Sequence, residues 1–374
     1  MKQKIYFNNL NGIRCIAAFM VIVSHMELSK SYFQLENSFQ RVKQFGELGV
    51  VFFFVLSGFL ITYLLLREKE VNKDISYKNF YLRRILRIWP LYYLIVIVSL
   101  FILPHFDFFQ TATFNLKLTS FSEVTFAFIL FLFFLPNLLI KMHLVPFATQ
   151  TWSIGTEEQF YLVWPWVINN IKKIFLFFLI LVIGYNVFMI LFSQGVFNFL
   201  PYPKLIEGFL DTIKIDCLTI GAIGAYLFYI QHKIIEIFKS TLTLLIIMLI
   251  LGYLLFEHYE FTYFHFTIYS ILFIGILLSL VVNEKLKYLL EHKWISYLGK
   301  ISYGLYMYHQ MIMVLVINIL LYFQLLNNYL IYALSILCTI ILSGLSYEYF
   351  EKPFLKIKDK YATFNTNENR DIKN

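Results

Sequence analysis

The chain has 374 residues, of which 59% are hydrophobic, 20% aromatic and only 14% charged, with a formal net charge of +8. A soluble domain of that composition would lack the polar surface to cover itself, so a bilayer must stand in for water as the main solvent. No nucleic-acid partner and no metal ligand set are expected. The three cysteines, Cys15, Cys217 and Cys338, all fall inside apolar runs where no exposed disulfide can form.

A span takes roughly 20 mostly apolar residues. Segments of this kind are predicted, in chain order, at 10–28, 47–66, 86–103, 124–141, 156–171, 174–193, 209–230, 241–257, 265–282, 297–322 and 329–350. The stretch before the first carries Lys2 and Lys4 but no small-residue cleavage site, so that segment is expected to be retained. Cytoplasmic loops hold an excess of Lys and Arg. Arg67, Lys69, Lys73, Lys78, Arg83, Arg84 and Arg87 crowd one stretch, and Lys352, Lys356, Lys358, Lys360, Arg370 and Lys373 another, so both are assigned to the cytoplasm. The loops at 143–155, 258–264 and 323–328 carry neither residue. Two cytoplasmic termini require an even number of crossings, so one of the segments must not cross. The parity breaks around 124–141, which Pro136-Asn137 interrupts and Lys141 ends. It is expected to dip in from the outer side and return, as irregular backbone can where protein or a water-filled cavity surrounds it; a misjudged boundary is the alternative. The expected fold is an all-α, polytopic transmembrane bundle of about ten spans. Residues 1–352 would form the membrane domain and 353–374 a polar cytoplasmic tail, in the cell inner (cytoplasmic) membrane.

Ionisable residues inside spans mark functional cavities, and the first segment holds two, Arg14 and His25. Eleven residues is about three helical turns, so both project from nearly one face, roughly 16 Å apart. A permanent cation suits an anionic ligand from the cytoplasm, and an imidazole can accept a proton near neutral pH. Taken singly, Arg14 could snorkel to the interface and His25 could bond a neighbouring helix. Ser57-Gly58 in the second segment reads as close helix packing. Arg83, Arg84 and Arg87 precede Pro90; topology alone explains one or two of them, while planar guanidinium groups also suit bidentate phosphate binding.

The run QTWSIGTEEQFYLVWPW sets Glu157 and Glu158 among Trp152, Phe160, Tyr161, Trp164 and Trp166. Two readings stand. The carboxylates are either favoured by the dipole at a helix N-terminus, or they face a sugar or orient His25. Lys214 and Asp216 are expected to pair or face the cavity. Ser302, Tyr303, Tyr306 and His309 share one helix, where His309 is either a structurally satisfied histidine or a second titratable group. The candidate substrate-binding residues are Trp152, Ser153, Glu158, Asp216, Tyr303 and His309.

Together these motifs resemble the acyltransferase-3 family of bacterial membrane-bound O-acyltransferases. The resemblance runs in order through Arg14 and His25, GVVFFFVLSGFLIT, the arginine cluster ending at Pro90, WSIGTEEQFYLVWP, IKIDCLTIGA, LGKISYGLYMYH and YEYFEKP. It implies transfer of an acyl group, usually acetyl from cytoplasmic acetyl-CoA, to a hydroxyl of an extracytoplasmic glycan or glycolipid. In that reading His25 is catalytic with Arg14, Glu157 assists, and Arg83, Arg84 and Arg87 bind the donor. His25 acts as a general base or carries the acyl group covalently. Two departures stand out: Val51 where the family often has an acidic residue, and Lys214 where it often has arginine. Many relatives also carry a second, hydrolase-type domain, whereas this chain ends in a polar tail; transfer is then expected to finish in the membrane domain or on a partner. A transporter of a glycan or lipid-linked intermediate is the rival from another class, and a non-catalytic relative a third. Nothing in the sequence sets the oligomeric state.

Overall fold

In the computed structural model the described residues are 5–37, 39, 42–111, 120–141 and 147–364. Lys2, Lys4, Arg370 and Lys373, and the stretch at 142–146 where the dipping segment would return, lie outside them.

The start of the first helix is fixed by one asparagine. Asn9 sits at φ +65°, a backbone region that Asn tolerates better than most residues. Its side-chain amide donates to the carbonyls of Leu280 and Leu286 at 2.9 Å each, and its side-chain oxygen accepts from Leu290 N–H. Helix α1, Leu10–Tyr32, is thereby anchored to chain some 280 residues away in sequence. The long helices that follow are α2, Lys43–Asn72, and α3, Tyr77–Ile97, then the short α4, Phe121–Leu132, and α5, Pro136–Lys141. Next come α6, Thr151–Asn170, α7, Ile174–Ser193, α8, Pro203–Ile213, α9, Ile215–Tyr229, and α10, Thr241–Phe256. The last are α11, His265–Val282, α12, Lys293–Lys300, α13, Ser302–Tyr322, α14, Asn328–Ser346, and α15, Lys352–Lys358. There is no strand among the described residues, as a bilayer demands of a chain that does not close into a barrel.

Eight helical stretches among the described residues are long and apolar enough to cross a membrane. A ninth appears if Lys233–Lys239 and α10, bent by 80°, form one span. Helix α6 has 20 residues but is not one of them. Its Glu157, Glu158, Gln159, Asn169 and Asn170 make it the polar member of the bundle. The segment at 124–141 consists of α4 and α5, each too short to cross, with a break at Phe134, φ +55°. The Phe134 carbonyl at the break accepts from Gln159 Nε2 at 2.9 Å. The irregular backbone is therefore satisfied by protein, the condition for such a break at membrane depth.

Packing around α2 rests on two glycines. A Cβ on Gly58 would lie 1.9 Å from Leu218 O on α9, and one on Gly221 would lie 2.1 Å from Val55 O on α2. Backbone meets backbone there, as small residues allow in apolar surroundings. The packing read from Ser57-Gly58 is thus correct for the glycine.

Three expectations need correction. The predicted loop at 67–87 is largely helical: α2 runs on to Asn72 and α3 starts at Tyr77. Arg83, Arg84 and Arg87 therefore sit within a helix, about two to three turns in, rather than at its mouth. The predicted helix at 209–230 breaks at Lys214, φ +40°, between α8 and α9. Residues 353–364 do not project as a tail. Helix α15 packs on α3, and Leu355, Lys358 and Phe364 are buried.

Candidate active site

The site is organised along α1. Toward its N-terminal end a cavity of about 180 Å³ opens between α1, α2, α3, α6, α13 and the segment after α14. Arg14, Arg83, Arg84, Arg87 and Lys358 all line it, with Glu68 and Glu157 as its acidic members. Positions four apart on α3 share a face, so Arg83 and Arg87 reach the same space. Several cations in a mostly apolar enclosure give a strong positive potential, because field lines concentrate where the walls are poorly polarisable.

The cations are not equivalent. Arg83 is already engaged: it donates to Glu68 Oε2 at 2.9 Å and to the carbonyl of Tyr361 at 2.9 Å. Arg14 donates to Asn11 Oδ1 at 3.3 Å. Arg84 stands 5.9 Å from the Tyr161 ring centroid, and its Nε is a buried N–H with no hydrogen-bond partner among the described residues. A buried donor without a partner costs about 1–3 kcal/mol, so Arg84 is held at a local cost. Lys358, 4% exposed, was missed in the sequence because it looked like one more lysine of a basic tail.

Glu157 lies on this cationic side. Its carboxylate accepts from Ser57 Oγ at 2.6 Å and from Tyr161 Oη at 3.1 Å. Glu158 accepts from Trp89 Nε1 at 3.0 Å and is not on the cavity lining. Two readings of this pair fail. Helix α6 begins at Thr151, so neither carboxylate is in the first turn where a helix dipole acts. Among the described residues no carboxylate is bonded to His25; Glu157 and Glu158 are bound elsewhere.

His25 is instead bonded to His309. His25 Nδ1 and His309 Nε2 are 2.7 Å apart, the rings are parallel within 3°, and their centroids are 5.0 Å apart. Rings that close at the nitrogens and that far apart at the centres meet edge to edge in one plane. His309 is fully buried, and its Nδ1 lies 2.7 Å from the backbone carbonyl of Tyr306. Tyr306 joins the two ends of the site. Its ring lines the cavity, its hydroxyl is 2.7 Å from Ser153 Oγ and donates to Gln150 O, and its carbonyl holds His309. Tyr303 also lines the cavity and donates to Ile88 O at 2.8 Å.

The remaining expectations part from the cavity. Trp152 packs edge-on against Phe54, with ring centroids 6.0 Å apart, and is not on the lining. Asp216 accepts from Thr267 Oγ1 at 2.5 Å, and Lys214 sets its Nζ 3.4 Å from the Phe266 ring centroid. They neither pair with each other nor line the cavity; both reach α11, at the break between α8 and α9. Val51 is fully buried in the core, while its neighbour Val50 lines the cavity, so the departure at that position falls outside the lining.

A helical bundle with several membrane-length helices, a buried polycationic cavity and a histidine pair shared between α1 and α13 defines a membrane protein with a cationic pocket and a candidate proton acceptor set apart along one helix. The profile of the acyltransferase-3 family, an acyltransferase domain, matches residues 7–348, and the chain belongs to that family. It is similar to the "Peptidoglycan O-acetyltransferase OatA" of Listeria monocytogenes, 26% identical over 379 residues covering 94% of this chain and 56% of that protein. It is also similar to the "Putative O-acetyltransferase SACOL0978" of Staphylococcus aureus, 28% identical over 381 residues, covering 95% and 58%. The "Putative peptidoglycan O-acetyltransferase YrhL" of Bacillus subtilis is 26% identical over 378 residues, covering 93% and 55%. The chain thus spans little more than half the length of these relatives. No solved structure matches it.

Proposed function

We propose that the protein is an O-acyltransferase of the inner membrane, moving an acetyl group from cytoplasmic acetyl-CoA to a hydroxyl of an extracytoplasmic glycan. Peptidoglycan is the acceptor class that the names of two relatives favour. One observation carries this reading above the others: α1 delivers Arg14 to a cationic cavity at one end and His25 to a histidine pair about three turns away.

Arg14, Arg84, Arg87 and Lys358, all on the cavity lining, would hold the donor's phosphates. Arg83 would serve less as a ligand than as a brace, tying Glu68 to the segment after α15. The cavity is smaller than the roughly 300–1,000 Å³ of sites for drug-sized ligands. It would take only part of the donor, and the thioester arm would reach His25 past the Ser153–Tyr306 pair. His25 Nε2 would take the acceptor's hydroxyl proton as that oxygen attacks the thioester carbonyl. The C–S bond breaks, and the departing thiolate takes the proton back as free CoA. General-base help of this kind is worth roughly 10² to 10⁴ in rate. Glu157, bound to Ser57 and Tyr161, would balance the arginine charges.

The test is purified protein in detergent, given acetyl-CoA and peptidoglycan fragments, with thiol release and acetyl incorporation followed together. Both should depend on His25. Transfer by His25→Ala at the wild-type rate, or no interaction of CoA with the wild type, would contradict the reading.

A further inference from the structure

The histidine pair specifies more than proximity. A carbonyl oxygen can only accept, so the 2.7 Å contact of His309 Nδ1 with Tyr306 O requires the proton on His309 Nδ1. In a neutral His309 the other nitrogen, Nε2, is then an acceptor. His25 Nδ1, 2.7 Å from it, must carry a hydrogen to complete the bond. That leaves Nε2 of a neutral His25 as the nitrogen with the lone pair. The chain of bonds runs from a main-chain carbonyl of α13 through two coplanar rings to one defined basic atom on α1.

We infer that His309 is a positioning residue for the reaction: it fixes His25 in the Nδ1–H tautomer and fixes its ring plane, so that Nε2 is the base. This inference rests on the acyl-transfer reading above. A histidine whose second nitrogen is held by a fixed partner is how imidazole bases are oriented generally. Here the partner is a second imidazole instead of a carboxylate. The fully buried His309 ring is held in turn by a backbone atom of its own helix, which cannot rotate away. When His25 takes a proton on Nε2 it becomes a cation with both nitrogens protonated. His309 Nε2 still accepts from Nδ1, so no bond in the pair has to break during the step. A carboxylate partner would favour the cation more strongly. An imidazole partner keeps the resting pair neutral, which suits a site where, among the described residues, no counter-charge is hydrogen-bonded to either ring.

The observation separates His309 from the donor-binding groups, because it is not on the cavity lining. Its substitution should change turnover and not the grip on acyl-CoA. His309→Leu removes the acceptor and frees His25 to flip or change tautomer; kcat should fall by about 10² to 10⁴, the range for losing an oriented base, while KM for acetyl-CoA stays within about twofold. His309→Gln can place an amide oxygen where Nε2 stood, accept from His25 Nδ1–H, and restore at least a tenth of wild-type kcat.

The experiment measures kcat and KM for acetyl-CoA on the wild type, His25→Ala, His309→Leu and His309→Gln, with nitrogen NMR of histidine-labelled wild type to read the His25 tautomer. Loss in Leu, recovery in Gln and a protonated His25 Nδ1 support the inference. A wild-type kcat in His309→Leu, a His309→Gln as inactive as His25→Ala, or a protonated His25 Nε2 at rest would overturn it. If the Leu variant does not fold, the Gln variant and the spectrum decide. If the wild type itself transfers nothing, the acyl-transfer reading fails, and the spectrum still reports on the tautomer by itself.

Discussion

The two ends of α1 solve opposite problems. At Arg14, cations from three separate parts of the chain converge on one cavity with two carboxylates among them. At His25, two imidazoles and a backbone carbonyl make the whole arrangement. A cluster of like charges is costly to assemble and is relieved by an anion, so on the proposed function the first end serves affinity. A neutral pair with one basic nitrogen offers little to an anion but can accept a proton, so on the same proposal the second serves chemistry. The difference teaches that the buried charge and the reactive group need not coincide, and that one helix can hold them apart at a distance a flexible arm would bridge.

That division breaks most visibly at His25. His25→Ala should lower kcat by about 10² to 10⁴ with little change in KM for acetyl-CoA, measured by thiol release. A rise in KM of similar size would merge the two ends. Half a turn further along α1, Glu27 is fully buried. It accepts from Lys30 Nζ at 3.2 Å, from Phe39 N–H at 3.3 Å and from the Tyr332 hydroxyl. Glu27→Ala leaves the buried Lys30 without its carboxylate, which should cost about 3–5 kcal/mol of stability, seen as a lowered thermal midpoint in detergent. Folded material should keep its donor affinity. On the cation side, Arg87→Ala or Lys358→Ala should each raise KM for acetyl-CoA about ten- to a hundredfold, the worth of one hydrogen bond to a charged group. Asp216→Asn should have the smallest effect. It keeps an acceptor for Thr267 away from the cavity, and donor KM should be unchanged.

The sequence made the helices legible because an apolar run long enough to span leaves little else for the backbone to do. It also exposed Arg14 and His25, since ionisable residues stand out in such a run. What it hid was partnership. His25 and His309 are 284 positions apart, and no local pattern announces a bond across that distance; only the presence of two in-span histidines hinted at it. Glu157 and Glu158 were read at a helix N-terminus because their helix was started at 156 instead of Thr151. Lys358 was hidden for a different reason: a basic stretch reads as solvated, and here Leu355, Lys358 and Phe364 are all buried. Asp216 looked functional by the same rule that found His25, yet it lies away from the cavity and accepts from Thr267 on α11. Burial of an ionisable group is a pointer, and the groups around it decide what it points to.

The most direct test of the central claim compares CoA binding and acetyl transfer in two variants of the same purified protein. His25→Ala should bind CoA as the wild type does, within about twofold, and transfer no acetyl. Arg87→Ala should bind about ten- to a hundredfold more weakly and still transfer at near wild-type kcat once the donor saturates. If both variants lost binding together, or both lost turnover at saturating donor, affinity and chemistry would not be divided along α1 and the account would be wrong.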